Sequence, residues 1–98
     1  MRIVWSKRAK NDLLNILDYL IEEWSYDVAD DFQLQTEKIC EHISRHPLMF
    51  PSVNKKRKNL RSVSVTKHNR LYYEVGKGFI TIITIFGVGQ HPSKLKLK

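Results

Sequence analysis

The sequence predicts an α+β fold in the order β-α-α-β-β-β, a helical hairpin packed on one face of a small, mainly antiparallel sheet. Three observations carry this. Apolar residues recur at helical spacing twice before Pro47, the period changes to two after residue 60, and only about three residues separate the two helical runs. A chain of 98 residues is one domain, 1–98, and at this length it buries roughly 60 to 70 % of its unfolded surface without disulfides or metal. Its 42 % hydrophobic content, with four Gly and three Pro, excludes a disordered or collagen-like chain.

Arg2 to Trp5 is a short β-branched and aromatic run, and Ser6 after it is a good helix N-cap. From Lys7 onward Ala9, Leu13, Ile16, Leu17, Leu20, Ile21 and Trp24 share one helical face, which makes Trp5 and Trp24 expected core anchors at the two ends of the first helix. Ser25 or Asp27 caps a second helix, in which Val28, Phe32, Ile39 and Ile43 form a stripe flanked by Ala29, Thr36 and Cys40. The short connection folds the helices back as an antiparallel hairpin, and Pro47 ends the second helix near His46.

A cationic loop spans residues 47 to 59. Beyond it Arg61, Val63 and Val65 alternate with Ser62, Ser64 and Thr66, and Leu71, Tyr73 and Val75 alternate with Arg70, Tyr72 and Glu74. These are two strands joined near Lys67 to Asn69. Gly76, Lys77 and Gly78 make a hairpin turn into an apolar strand from Phe79 to Phe86, and the tail from Gly87 to Lys98 is short, basic and irregular. Strand alternation sends Tyr73 toward the helices and Arg70 and Tyr72 toward the open face.

Charge is segregated along the chain. Residues 1–50 hold six Lys and Arg against nine Asp and Glu, whereas residues 51–98 hold eleven against one, Glu74. A half of that composition attracts a polyanion or an acidic protein segment. The run Lys55, Lys56, Arg57 and Lys58 is its densest part, and with Arg61, Lys67, Arg70 and Tyr72 it forms the expected target- or nucleic-acid-binding set, Tyr72 being able to stack on a base.

One cysteine, Cys40, allows no internal disulfide and reads as an inert, partly buried thiol. His42 and His46 stand four apart, but Glu41 does not complete a zinc motif and no third ligand is near, so no metal is expected; histidines in a last helical turn complement the dipole instead. Residues Met1 to Ser6 lack the apolar run of a secretory signal and Phe79 to Phe86 is far short of a membrane span, so a cytoplasmic protein without membrane contact is expected.

With its opening I-V-W-S, A-x-x-D-L at Ala9, Asp12 and Leu13, His46-Pro47, Leu60-Arg61, R-L-Y-Y-E-V from Arg70 to Val75, and Q-H-P at Gln90 to Pro92, the chain resembles the RelE/ParE superfamily of bacterial type II toxins. The resemblance covers nearly the whole length. It implies a growth-inhibiting or plasmid-stabilising toxin, a cognate antitoxin partner, and a target that is either DNA gyrase or the ribosome with its mRNA. It implies no cofactor and no small-molecule substrate.

RelE-like members are ribosome-dependent mRNA endonucleases (mRNA interferases) that work without metal; ParE-like members are DNA gyrase inhibitors without hydrolytic chemistry. An RNA-cleaving site needs a base, cations over the phosphate and an acid. The resemblance implies Arg70 as one cation and Arg61, where a lysine is often found, as another. If the chain is a ribonuclease, His91 stands in as the acid and His68, an imidazole suited to proton transfer, as the base, with Lys67 adding charge. The arginine expected after the last strand is replaced by Gly89 and Gln90, and residues 92–98 contain no tyrosine. These losses favour the ParE-like reading and lean against an enzyme, the alternatives being a metal-independent ribonuclease and a non-toxic basic nucleic-acid-binding module.

Overall fold

Two serines set where both helices begin. In the computed structural model, which describes residues 1–87, the strand β1 (Arg2–Trp5) runs into Ser6, whose backbone is extended and whose Oγ accepts from Ala9 N at 3.0 Å to open α1 (Lys7–Glu23). Ser25 does the same for α2 (Tyr26–Arg45), accepting from Val28 N at 3.2 Å. Between them Trp24 N and Ser25 N both close onto Leu20 O, so the hairpin turns at once. His46 N bonds His42 O as α2 ends, immediately before Pro47.

Three strands follow, β2 (Leu60–Thr66), β3 (Asn69–Val75) and β4 (Phe79–Gly87). The sheet order is β1-β4-β3-β2, antiparallel except where β1 runs parallel to β4. The α+β architecture and the β-α-α-β-β-β order are as the sequence predicts.

The core lies between α2 and one sheet face. Ala29, Phe32, Thr36, Ile39 and Ile43 of α2 form a buried stripe at alternating three- and four-residue steps, from which Phe32, Ile39 and Ile43 join Val65, Leu71, Tyr73, Ile80, Ile82 and Ile85 in one cluster. Thr36 lies in this seam without penalty because its hydroxyl donates to Phe32 O. From α1 only Ala9 is fully buried, while Leu13, Ile16, Leu17 and Leu20 pack against the core from its margin.

Two expectations are corrected here. Trp24 is exposed rather than a core anchor: it is the residue that leaves α1, with φ −130° and ψ −91°, so its side chain departs from the face that helical period assigns to it. Val28 is exposed as well, because the buried stripe begins one position later at Ala29.

A bulge shapes β4. Tyr72 pairs with Thr84 and Tyr73 with Ile82, leaving Ile83 unopposed, and β1 has already ended at Trp5. The start of α1 covers this stretch: Ser6 Oγ donates to Ile83 O at 2.9 Å, and Asp12 Oδ2 accepts from the Thr84 hydroxyl and from Ile85 N. Across the sheet, a second unopposed residue, Val65, lies just before the Lys67-His68 turn, which Thr66 Oγ1 stabilises by accepting from His68 N. The last turn uses Gly78 at φ +85°, a left-handed conformation that favours glycine.

Candidate target-binding face

Cross-strand register decides which sequence-predicted residues meet. Ser62 is the Cα partner of Tyr72 and Ser64 that of Arg70, so these side chains share the face away from the helices. Arg70 Nε donates to Ser62 Oγ and its Nη1 to Ser64 Oγ, each at 2.9 Å. Both partners are neutral, so the guanidinium is fixed in place while its charge is not offset by them. Tyr72 is half-buried beside it, and the neighbouring Lys67 and His68 are exposed on the turn.

The basic run does not act as a unit. Asn54 Oδ1 accepts from Lys56 N and Arg57 N, curling the loop so that Arg57 reaches Glu74 Oε2 at 2.8 Å. Arg57 thereby ties the loop to β3 with a half-exposed ion pair, while Lys55, Lys56 and Lys58 remain exposed. The same loop guards the edge of β2, since Val53 N bonds Leu60 O at 2.7 Å and Ser52 bridges Arg61.

Arg61 is placed elsewhere. Its Cα partner is Tyr73, in the core, and its Nη1 donates to Phe50 O at 2.6 Å and Leu48 O at 3.2 Å. Tyr73, fully buried, donates its hydroxyl to Pro47 O at 2.8 Å, and burial raises the phenol above its ordinary pKa of 10.0 against the opposing influence of Arg61. Arg61 and Arg70 therefore lie on opposite faces, the physical reason being strand alternation across an odd separation in a strand-turn-strand unit containing one bulge. Of the set expected for RNA cleavage, Arg70 and His68 lie on or beside the open face, Arg61 does not, and His91 lies outside the described residues.

Cys40 is half-buried between acidic neighbours, and desolvation first, then the charge of Glu37, pushes its thiol up to about 11. Among the described residues no group of three or more His, Cys, Asp and Glu is arranged to hold a metal ion, and no helix is long and apolar enough to cross a membrane.

Sequence reasoning missed Ser62 and Ser64 as anchors of Arg70, Glu74 as the partner of Arg57, and Asp12 as the group that covers the β4 bulge. The serines could not be read from the turn at Lys67-His68 alone, because the unopposed Val65 shifts the register by one between Thr66–Asn69 and Ser64–Arg70.

The model of the ParE toxin of the type II toxin-antitoxin system parDE matches residues 3–92. The chain belongs to the ParE toxin family. It is accordingly a toxin of the RelE/ParE superfamily, from a type II toxin-antitoxin system, and the family implies a cognate antitoxin. Among curated proteins none matches. Solved structures share its fold at low identity. One from the chromosomal ParDE system of P. aeruginosa is 16 % identical with a TM-score of 0.74, covering 90 % of this chain and 96 % of that one. A YoeB/ParE toxin from Agrobacterium tumefaciens is 14 % identical with a TM-score of 0.64, covering 89 % and 98 %. A YoeB dimer from Staphylococcus aureus is 16 % identical with a TM-score of 0.61, covering 86 % and 92 %.

Proposed function

We propose that this ParE-family toxin arrests growth by binding a macromolecular target, DNA gyrase, without hydrolytic chemistry. The observation that carries this reading is the separation of Arg61 from Arg70. Cleaving RNA calls for cations converging on one phosphate, and here the second arginine is turned to the opposite face and occupied by two backbone carbonyls. Arg70, held by Ser62 and Ser64 with Tyr72 beside it, is the contact we assign to the target, with Lys55, Lys56, Lys58 and Lys67 as the surrounding cations.

The antitoxin is assigned to the helical hairpin and the basic sheet. Leu13, Ile16, Leu17 and Leu20 are incompletely covered and Leu14 and Leu34 are exposed, which suits an amphipathic segment followed by an acidic stretch. Such a complex forms in the cytoplasm and weakens as salt rises.

Purified toxin tested against gyrase supercoiling and, in parallel, against message on translating ribosomes separates the readings. Inhibited supercoiling with intact message, and loss of inhibition in Arg70→Ala, is the expected result. Cuts within codons by primer extension, abolished in His68→Ala and His91→Ala, would establish the endonuclease instead.

A further inference from the structure

The stretch 11–37 contains eight Asp and Glu and no Lys, Arg or His. Around the point where α1 turns into α2, Asp18, Glu22, Glu23, Asp27, Asp30 and Asp31 are all exposed. Three aromatic side chains stand among them: Tyr19 is 58 % exposed, Trp24 70 % and Tyr26 72 %. The hairpin does not need these rings, since its turn is closed by Trp24 N and Ser25 N on Leu20 O, its second helix is capped by Ser25, and its seam runs through Ala29, Phe32, Thr36, Ile39 and Ile43. Solvent-exposed aromatics grouped at one end of a small domain mark an interaction surface.

We propose that this acidic, aromatic tip of the hairpin is a docking surface for an arginine- and lysine-rich segment of a partner protein, separate from the basic sheet face assigned to the target. The chemistry matches on two counts. Guanidinium and ammonium groups are attracted to the faces of Trp and Tyr rings, and the surrounding carboxylates steer cations toward them. Trp and Tyr are also the residues that most often dominate binding energy at protein interfaces.

Other occupants fit less well. Nucleic acid and anionic lipid are repelled by the carboxylates. A second copy of this chain offers a basic loop, yet two copies each carry a net charge of +7, and a tip-to-loop contact joins unlike patches, which propagates rather than closes.

The test uses a labelled decapeptide of alternating arginine and lysine and follows its anisotropy against the full-length toxin. Trp24→Ala combined with Tyr26→Ala is expected to weaken binding about tenfold although no charge changes. Tyr26→Ala alone is expected to weaken it by a smaller factor, and Trp24→Phe to restore part of the loss. Glu22→Gln with Glu23→Gln is expected to weaken binding and reduce its salt dependence. Binding that follows charge alone, with the aromatic variants equal to the parent, overturns the proposal. So does concentration-dependent self-association in sedimentation that Trp24→Ala abolishes, since the occupant is then a second copy.

Discussion

Arg61 and Tyr73, Cα partners across β2 and β3, hold the same short stretch of chain: Tyr73 bonds Pro47 O, and Arg61 bonds Leu48 O and Phe50 O. Through Tyr73 the motif from Arg70 to Val75 thus meets His46-Pro47 in space, and through Arg61 the motif Leu60-Arg61 meets the residues just after it. These contacts fix how the chain leaves α2 and returns to the sheet.

Arg61→Ala therefore leaves two carbonyls without their donor and is expected to cost about 1–3 kcal/mol of stability. Arg70→Ala, on the open face and bonded only to hydroxyls, is expected to cost about 1 kcal/mol or less while reducing growth inhibition. Urea unfolding of both variants, read beside a growth assay, checks the contrast; the opposite ranking would mean the two faces are exchanged.

Tyr73→Phe removes one buried hydrogen bond and is expected to cost about 1 kcal/mol. Because Arg61 and Tyr73 restrain one segment, their effects should not add. A double-mutant cycle is expected to show a coupling of about 0.5 kcal/mol or more, and strict additivity would contradict the shared role.

Asp12 makes a second arrangement of this kind by accepting from the Thr84 hydroxyl and Ile85 N where β4 bulges. Asp12→Ala is expected to cost about 1–3 kcal/mol, and Thr84→Val to be coupled to it. Hydrogen exchange at the Ile85 amide is the direct readout: it should accelerate in Asp12→Ala more than amides of β2 do.

Trp24 distinguishes the observed hairpin from the one its periodicity suggests. A core tryptophan truncated to alanine costs about 3–5 kcal/mol, whereas an exposed one costs about 0.5 kcal/mol or less. Trp24→Ala is expected to fall in the second range and Ser25→Ala, which removes the cap of α2, at about 1 kcal/mol.

Cys40 gives the stability a pH dependence. The thiol ionises at 9.0 ordinarily and near 11 in the folded chain, so below pH 9 neither state is ionised and the full stability is present. Between pH 9 and 11 the unfolded chain releases its proton first, and stability falls as pH rises through that window. Tyr73, raised above 10.0, adds to the loss at its upper end. Cys40→Ala should flatten the fall between pH 9 and 10; an unchanged profile would remove the thiol as its cause.

Much of this was legible in the sequence. Ser6, the change of period after residue 60 and Gly78 each act through nearest neighbours, so the elements could be read directly. Tyr73 inward with Arg70 and Tyr72 outward followed from alternation alone. What escaped was long-range or a matter of one residue's rotation. Trp24 continued the helical pattern but sat one step past its end. Arg61 looked like a binding cation because nothing local shows that the carbonyls of Leu48 and Phe50 come back to meet it. Ser62 and Ser64 carried no signal until β2 and β3 were placed in register.

The strand order β1-β4-β3-β2 has a consequence for how the toxin comes into being. The strand synthesised last among the described residues is the one inserted between β1 and β3. Until β4 exists, β1 has no hydrogen-bonded neighbour and β2 with β3 is an isolated hairpin, which is at best marginally stable in water. A chain stopped before Phe79 thus has no continuous sheet for its helices to cover, and the pairing that joins its two ends is made late because it closes the longest loop. Partial products of translation are left without a finished sheet by topology alone.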